Sequence, residues 1–467
     1  MACRVFMLRS IPRVRNATGR TGAASGCVFW NDRPSDVTVT SKTAFPTVIS
    51  IPTELEWSHE NETHRVRTLA EHELTSQTCS KMSITGLALL VRTINRSVDR
   101  TSQPPRIRGA KPMPGPLPLF PTAVIGSMPR PQYVKDLLAA RTRSEPDPKS
   151  EFEQRTDDAV RFVVGLQEQA GIDIISDGEW RRETYVDVIA EILNGFSWVD
   201  RELFGYHQVV TRRVSSNRPG VVADEARFLR QCTDRHIKVA LPSPYLIGQR
   251  MWEPGHSRDA YPTRESFCEA LVPVLRQELL AVREAGVNLI QLDEPHLCVL
   301  VDPEVRAGFD DPEAEMRRAV DWINEIVDGV DNVTLAVHLC RRNWGRRGWG
   351  AAGGYEAILE HVKRLKVEQL MMEFSIPVAG DVAVLTELSD EVRVGLGCVD
   401  VRFPEIDPPE QIVERVDKAL LYVAAERLTL TPDCGFSPAK DHGIPLDESF
   451  RKLQSLSAAA KLLRERA

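Results

Sequence analysis

The sequence has no apolar run of the roughly 18–20 residues that a membrane-spanning helix needs, so we expect no span of the membrane. It also lacks an excess of positive charge, because 59 lysines and arginines face 66 aspartates and glutamates and leave a formal charge of −7. This balance argues against nucleic acid or an anionic membrane as a partner. The nine cysteines are odd in number and scattered, which indicates a reducing compartment rather than a disulfide framework. We therefore expect a cytoplasmic location.

The first 31 residues contain five arginines but no acidic residue before Asp32. An organellar transit peptide has this composition. So does an unstructured leader, or translated sequence upstream of the true start, and we favour this second interpretation. Residues 1–115 show no sustained period of helix or strand, and proline is dense in residues 111–118. We predict that residues 1–115 are mostly disordered and end in a linker.

Residues 116–467 alternate between strand-like runs and longer amphipathic helical patterns, as parallel β/α units do. Eight units over about 350 residues predict one (β/α)8 TIM barrel of the α/β class. The longest connection, residues 198–234, has a strand-like run of its own and predicts an inserted hairpin or lid. A doubly wound open sheet is the alternative, although no Gly-x-Gly-x-x-Gly turn follows any strand. The predicted strands are Thr122–Gly126, Ile172–Ser176, His236–Leu241, Asn288–Leu292, Val333–His338, Glu368–Glu373, Val392–Cys398 and Leu428–Thr431, and the predicted helices include Ser150–Ala170, Arg264–Ala285, Glu313–Val327 and Gln411–Ala425.

Two side chains of the kind that bind metals, His338 and Cys340, stand one residue apart at the end of a predicted strand. Residues i and i+2 of an extended chain point to the same side, so both can reach one ion. Glu373 and Cys434 stand at the ends of two later predicted strands. Imidazole, thiolate and carboxylate ligands in tetrahedral number suit zinc best among the common metals. Because barrel active sites lie at the C-terminal ends of the strands, these four residues are the candidate ligands.

Short motifs stand at the ends of five of the predicted strands. In chain order the motifs are Ile125-Gly126-Ser127, Asp177-Gly178-Glu179, Gln291-Leu292-Asp293-Glu294-Pro295, His338-x-Cys340 and Pro432-Asp433-Cys434-Gly435. Together they resemble the C-terminal catalytic barrel of cobalamin-independent methionine synthase over residues 120–467. The separate N-terminal barrel of that family has no counterpart, because residues 1–115 are too few and too irregular to form it.

The resemblance implies a zinc ion held by His338, Cys340, Glu373 and Cys434. It also implies methyl transfer from a 5-methyltetrahydrofolate-type donor to the thiol of homocysteine, which gives methionine. A free thiol with a pKa of about 8.5 is mostly protonated at neutral pH, whereas a metal-bound thiol is deprotonated. If homocysteine displaces Glu373 and loses its proton, the charge of the site does not change and the sulfur stays electron-rich.

The resemblance further implies where the amino-acid part of homocysteine binds. Asp293 and Glu179 match the acids that bind its ammonium group. Ile125, Gly126 and Ser127 match its carboxylate site, where backbone N–H groups and a hydroxyl can bind an anion and Gly126 permits a close approach.

The part of the site that faces the methyl donor departs from the family pattern. Arg402 stands where the family has a histidine for proton transfer to the donor's leaving nitrogen, and arginine is no general acid near neutral pH. Asp400, two residues away on the same face, is our candidate for that role. Apolar residues 298–300 replace a carboxylate that helps to place the pterin ring, and the segment after Cys340 is longer than the family's. The arginines between residues 341 and 347 either clamp a polyglutamate tail or phosphate, or are solvated loop charges.

These departures leave two alternatives open. One keeps the zinc–thiol chemistry and changes the donor, to methylcobalamin on a corrinoid protein or to an epoxide with another thiol. The other is a zinc-binding barrel without catalysis that senses thiol amino acids.

Overall fold

The computed structural model of the chain describes residues 27–30, 37–40, 114–142, 149–201, 205–438 and 443–467. The chain divides into two compact units, Met1–Arg106 and Ile107–Ala467. In the first unit, strand β1 (Cys27–Trp30) pairs antiparallel with β2 (Val37–Thr40). The prediction that residues 1–115 are mostly disordered lies almost entirely outside the described residues.

The second unit contains a parallel sheet of seven strands that the first predicted strand closes into a barrel. Thr122 forms a parallel bridge with Leu430, and Ala123 forms one with Ile174, so this segment joins the two edge strands of the sheet. It is shorter than the predicted Thr122–Gly126 because residues beyond Ala123 turn into the site. The eight predicted strands and the (β/α)8 fold are thus confirmed. In chain order the sheet strands are β3 (Ile174–Ile175), β6 (His236–Pro242), β7 (Leu289–Asp293), β8 (Thr334–Leu339), β9 (Gln369–Glu373), β10 (Arg393–Val399) and β11 (Leu428–Pro432).

Helices cover the outer face of the barrel and side chains fill its interior, so both faces of the strands are buried. This explains why the strands consist of continuous apolar runs. The predicted helix Gln411–Ala425 ends earlier, at Ala419, because the chain must turn back to reach β11. The helices are α1 (Gln132–Thr142), α2 (Lys149–Ala170), α3 (Ile189–Ile192), α4 (Val221–Cys232), α5 (Pro244–Met251), α6 (Pro254–Ser257), α7 (Arg264–Glu284), α8 (Pro295–Cys298), α9 (Pro303–Arg306), α10 (Pro312–Val327), α11 (Leu359–Val362), α12 (Pro409–Ala419) and α13 (Leu446–Arg466). None of the described helices is long and apolar enough to cross a membrane.

The predicted insertion is a β-hairpin followed by a helix. Strand β4 (Leu193–Arg201) pairs antiparallel with β5 (Gly205–Ser216), and α4 leads back to the barrel. The hairpin begins five residues before the predicted start at Trp198. Its strands reach over the C-terminal ends of the barrel strands, so Trp198 and His207 belong to the wall of the cavity described below.

Candidate metal and substrate site

Three soft ligand atoms meet at the C-terminal end of the barrel. The side chains of His338, Cys340 and Cys434 offer atoms that all lie within 4.8 Å of one another, and the two sulfur atoms are 3.4 Å apart. Strand β8 delivers the first two residues, and the turn after β11 delivers Cys434. All three side chains are buried, at 4%, 2% and 5% exposure. These three residues, which the sequence analysis grouped together, therefore have the geometry of one metal site.

The cluster fits a metal by its chemistry as well as by its spacing. Both ring nitrogens of buried His338 lack a hydrogen-bond partner among the described residues, and an unpaired buried polar atom is costly without a ligand. Contact with the Cys434 sulfur holds the pKa of Cys340 well below its usual range, and the same contact raises the pKa of Cys434. This contact therefore favours the thiolate form of Cys340, which a cation would stabilise. Two thiolates and an imidazole match zinc preferences.

The carboxylate of the fourth predicted ligand, Glu373, is not part of this cluster and has other partners. One carboxylate oxygen accepts a hydrogen bond from the backbone N–H of Arg341 at 2.6 Å, and the other forms an ion pair with Arg402. Glu373 and Arg402 are both fully buried, and the Arg402 guanidinium also lies 3.6 Å from Asp433. The structure does not bring Glu373 into the three-residue cluster, so its role as a ligand stays a prediction. Arg402, which stands where the family has a histidine, is thus an ion-pair partner of Glu373.

Asp400, the predicted proton donor, does not line the cavity. Its carboxylate accepts hydrogen bonds from the backbone N–H groups of Arg402 and Phe403, both at 3.1 Å, and so stabilises the turn after β10. This placement gives no support to a role of Asp400 in proton transfer. The sequence suggested it because Asp400 and Arg402 share a face in an extended chain, but the chain has already turned there.

The two predicted ammonium-binding acids, Glu179 and Asp293, line one cavity with the cluster. Burial, and then the charge of Asp293, raise the pKa of Glu179 to about 7. Its Oε2 atom is buried without a hydrogen-bond partner among the described residues. A Cβ atom on Gly126 would lie 2.3 Å from a Glu179 carboxylate oxygen, so glycine permits this close approach without a shift of the Glu179 side chain. Asp293 accepts a hydrogen bond from Gln291 at 2.6 Å, and Gln291 accepts one from buried Lys238 at 2.8 Å.

The predicted carboxylate site is on the same cavity wall. Ile125, Gly126 and Ser127 all line the cavity, and a Cβ atom on Gly435 would clash with the Ser127 hydroxyl. Asn343 donates a hydrogen bond to the Gly435 carbonyl at 2.8 Å and ties the loop after β8 to the loop after β11. The Ser127 hydroxyl is therefore held next to the turn that carries Cys434.

The cavity that joins these groups has a volume of about 610 Å³, within the range of small-molecule sites. Sequence reasoning missed Tyr185, Arg250 and Asn343, which also line it. Arg250 lies near the end of α5 and carried no motif that could have singled it out. The predicted residues that line the cavity are Ile125, Gly126, Ser127, Glu179, Asp293, His338, Cys340 and Cys434.

Comparison of the chain with known proteins agrees with this geometry. Residues 120–461 match the family model described as cobalamin-independent synthase, catalytic domain. The methionine synthase of Pyrococcus abyssi is 30% identical over 356 residues, which covers 75% of this chain and 94% of that protein. The methionine synthase of Sulfolobus acidocaldarius is 27% identical over 353 residues, covering 74% of this chain and 93% of that protein.

A solved structure shares the fold. The B12-independent methionine synthase from Shewanella sp. W3-18-1, in complex with selenomethionine, superposes with a TM-score of 0.60 at 26% sequence identity. The match covers 74% of this chain and 98% of that chain. Motifs, barrel and cavity lead to one conclusion: the chain belongs to the cobalamin-independent methionine synthase family, whose catalytic domain is matched by residues 120–461.

Proposed function

We propose that this protein is a zinc-dependent methyltransferase that transfers a methyl group from a 5-methyltetrahydrofolate-type donor to the thiol of homocysteine. The observation that carries the proposal is that a His–Cys–Cys cluster and a pair of buried acids line one cavity. The first suits a thiolate-binding metal, and the second suits an ammonium group. The Shewanella relative was solved with selenomethionine, an analogue of the expected product, which supports an amino-acid site in this cavity.

Zinc held by His338, Cys340 and Cys434 would lower the pKa of an incoming thiol and supply a thiolate at neutral pH. The residues of the chain orient the acceptor. Glu179 and Asp293 bind its ammonium group, and the backbone and hydroxyl at Ser127 bind its carboxylate. The thiolate then attacks the methyl carbon of the donor, a carbon–sulfur bond forms, and the bond to the leaving nitrogen breaks with its electron pair on nitrogen. The nitrogen takes up one proton in place of the one that the thiol gives up, so the transfer needs no net proton.

A second candidate keeps the acceptor and changes the donor. Arg402 is buried in ion pairs, and Asp400 does not line the cavity, so neither is placed to give a proton to a leaving nitrogen. This favours a donor whose leaving group needs no proton, such as methylcobalamin on a corrinoid protein. An epoxide with a different thiol acceptor is a further alternative. A non-catalytic sensor of thiol amino acids is the remaining alternative.

Turnover assays with the zinc-loaded protein separate these candidates. We expect methionine from homocysteine and methyltetrahydrofolate, measured by mass spectrometry. Methionine from methylcobalamin alone would contradict the folate donor and support the second candidate. Homocysteine binding without product from any of the donors would contradict both and favour a sensor.

We expect binding of the amino acid to weaken as the pH falls through about 7. Glu179 has a pKa of about 7, so below that pH it is protonated and loses its attraction for an ammonium group. The limiting slope is about tenfold in the dissociation constant per pH unit. Calorimetry with methionine measures this effect without the thiol proton of homocysteine. The variant Glu179→Gln should flatten this pH profile of methionine affinity, whereas Glu304→Gln, at an exposed position, should leave it unchanged. An unaltered slope in Glu179→Gln would contradict the assignment of Glu179 to the ammonium group.

We propose that Glu373 is an exchangeable fourth ligand. Glu373→Gln should keep stoichiometric zinc, because three ligands remain, but should bind it about 10- to 100-fold more weakly. Competition with a chromogenic chelator measures the zinc affinity. An affinity equal to that of the wild type would remove Glu373 from the ligand set and leave it only as the partner of Arg402.

A further inference from the structure

Arg402 is fully buried, and its side chain contacts the turns after all three strands that carry the candidate metal ligands. After β9, its guanidinium forms an ion pair with Glu373, and after β11 it lies 3.6 Å from Asp433. After β8, it donates a hydrogen bond at 3.0 Å to the backbone carbonyl of Arg342. One cation that itself follows β10 therefore joins the three turns from which the candidate ligands project.

Glu373 lies beside the metal cluster while it is bound by Arg402. Strands β8 and β9 are adjacent, and their last register pair is directly followed by Cys340 on one strand and Glu373 on the other. The Oε2 atom of Glu373 accepts a hydrogen bond from the backbone N–H of Arg341 at 2.6 Å, and the guanidinium of the same arginine lies 3.6 Å away. The Oε1 atom pairs with Arg402. The carboxylate that is the fourth predicted ligand is therefore bound by a protein cation at its strand end.

Gly397 on β10 makes room for a second acid next to Arg402. It is the register partner of Glu373, and a Cβ atom there would lie 2.6 Å from a carboxylate oxygen of Asp433 and 2.7 Å from the backbone carbonyl oxygen of Met372. Backbone atoms cannot move aside as the end of a side chain can, so this approach needs glycine. Asp433 also accepts a hydrogen bond from the backbone N–H of Ser375 at 3.1 Å, which fixes its position.

Arg402 keeps acidic partners when Glu373 leaves it. Its Nη1 atom lies 3.6 Å from Asp433 and 3.4 Å from Asp400, whereas Glu373 is bound by Nη2. A buried charge that loses its only partner is strongly destabilised, but here two carboxylates would remain. Glu373 can therefore exchange Arg402 for a metal ion without leaving the guanidinium unpaired.

We propose that Arg402 is a positioning residue that competes with the metal for Glu373 and so keeps one coordination position available to the thiol of the acceptor. This inference rests on the proposed function, because it concerns the zinc ion proposed for the His–Cys–Cys cluster. The metal and Arg402 are alternative cationic partners of one carboxylate, and the balance between them sets how readily a thiolate takes its place. The histidine that the family has at this position carries no fixed charge at neutral pH and would hold the carboxylate less strongly.

Zinc affinity tests the proposal separately from turnover, by competition between the full-length protein and a chromogenic chelator. Arg402→Gln should bind zinc about tenfold more tightly than the wild type, because the main competitor for Glu373 is gone. This gain should vanish in the double variant Arg402→Gln/Glu373→Gln, which should bind zinc like Glu373→Gln alone. Arg402→Lys keeps the charge but not the guanidinium fork, so we expect a smaller gain, which carries the test should Arg402→Gln not fold. Arg264→Gln, which breaks the ion pair of α7 with Glu315, is the matched control and should keep the wild-type affinity.

The affinity for the acceptor should change in the opposite direction. Arg402→Gln, loaded with zinc, should bind homocysteine about tenfold more weakly by calorimetry, because the thiol must then displace a more firmly bound carboxylate. The affinity for methionine should not change, since methionine uses the same ammonium and carboxylate sites but brings no thiolate.

A zinc affinity at or below the wild-type value in both Arg402 variants would overturn the proposal, as would a gain that persists in the double variant. A loss of affinity for methionine together with homocysteine would also overturn it, because Arg402 would then only support the shape of the cavity. Opposite shifts of zinc and homocysteine affinity in a protein that makes no methionine would sustain the role of Arg402 and count against the proposed function alone.

Discussion

Replacing Cys340 or Cys434 by serine should remove the bound zinc and abolish methyl transfer. Each replacement takes away one of the two sulfur atoms, which lie 3.4 Å apart, and a serine hydroxyl is not deprotonated at neutral pH to replace a thiolate. Only His338 and one thiolate would then remain of the described cluster. We expect zinc to fall from about one equivalent to a small fraction and turnover to fall more than about 100-fold. Metal analysis after dialysis measures the first effect, and methionine formation the second.

Cys398→Ser is the matched control for this experiment. Cys398 is equally buried, on strand β10, but its sulfur donates to the Thr431 carbonyl and is not part of the cluster. It should keep its zinc. Wild-type zinc content in both Cys340→Ser and Cys434→Ser would refute the ligand assignment, and circular dichroism would show whether any loss reflects unfolding.

The second large effect is expected from Asp293→Asn, which should weaken homocysteine binding by about 10- to 100-fold. This range corresponds to the free energy of one charge-assisted hydrogen bond. Asp293 is buried in the cavity, level with His338 in the register of neighbouring strands, but it is not part of the metal cluster. The amide keeps the size of the side chain and removes the charge that attracts an ammonium group. Calorimetry with homocysteine measures the affinity, and zinc content should remain at the wild-type level.

For the same variant we also expect a change in the pH dependence of methionine binding. The charge of Asp293 is one cause of the raised pKa of Glu179, so its removal should move the midpoint of methionine binding to lower pH. Unchanged homocysteine affinity together with an unchanged midpoint would show that Asp293 does not contact the ammonium group. Gln291→Glu would be a poor control, since Gln291 donates to Asp293; exposed Asp328→Asn is the better one.

The barrel and most of the site could be predicted from the sequence because they depend on local patterns. A buried parallel strand needs a continuous apolar run, and its C-terminal end must lie at the face where side chains can converge. That reasoning placed His338, Cys340 and Cys434 together from two short motifs. It also placed Glu179 and Asp293 at the same face, although not the pKa of Glu179, which depends on burial and on a neighbour 114 residues away.

Other features followed only from the tertiary structure. Whether Glu373 faces the metal cluster or Arg402 depends on the charges that surround it in space, and sequence spacing does not report them. Asp400 missed the cavity because the chain turns directly after β10, where its carboxylate binds two backbone N–H groups. Arg250 and Arg342 are 92 residues apart, and nothing in their local sequence says that both line one cavity. Strand ends are determined by local chemistry, whereas partners of buried charges are determined by which distant segments the fold brings together.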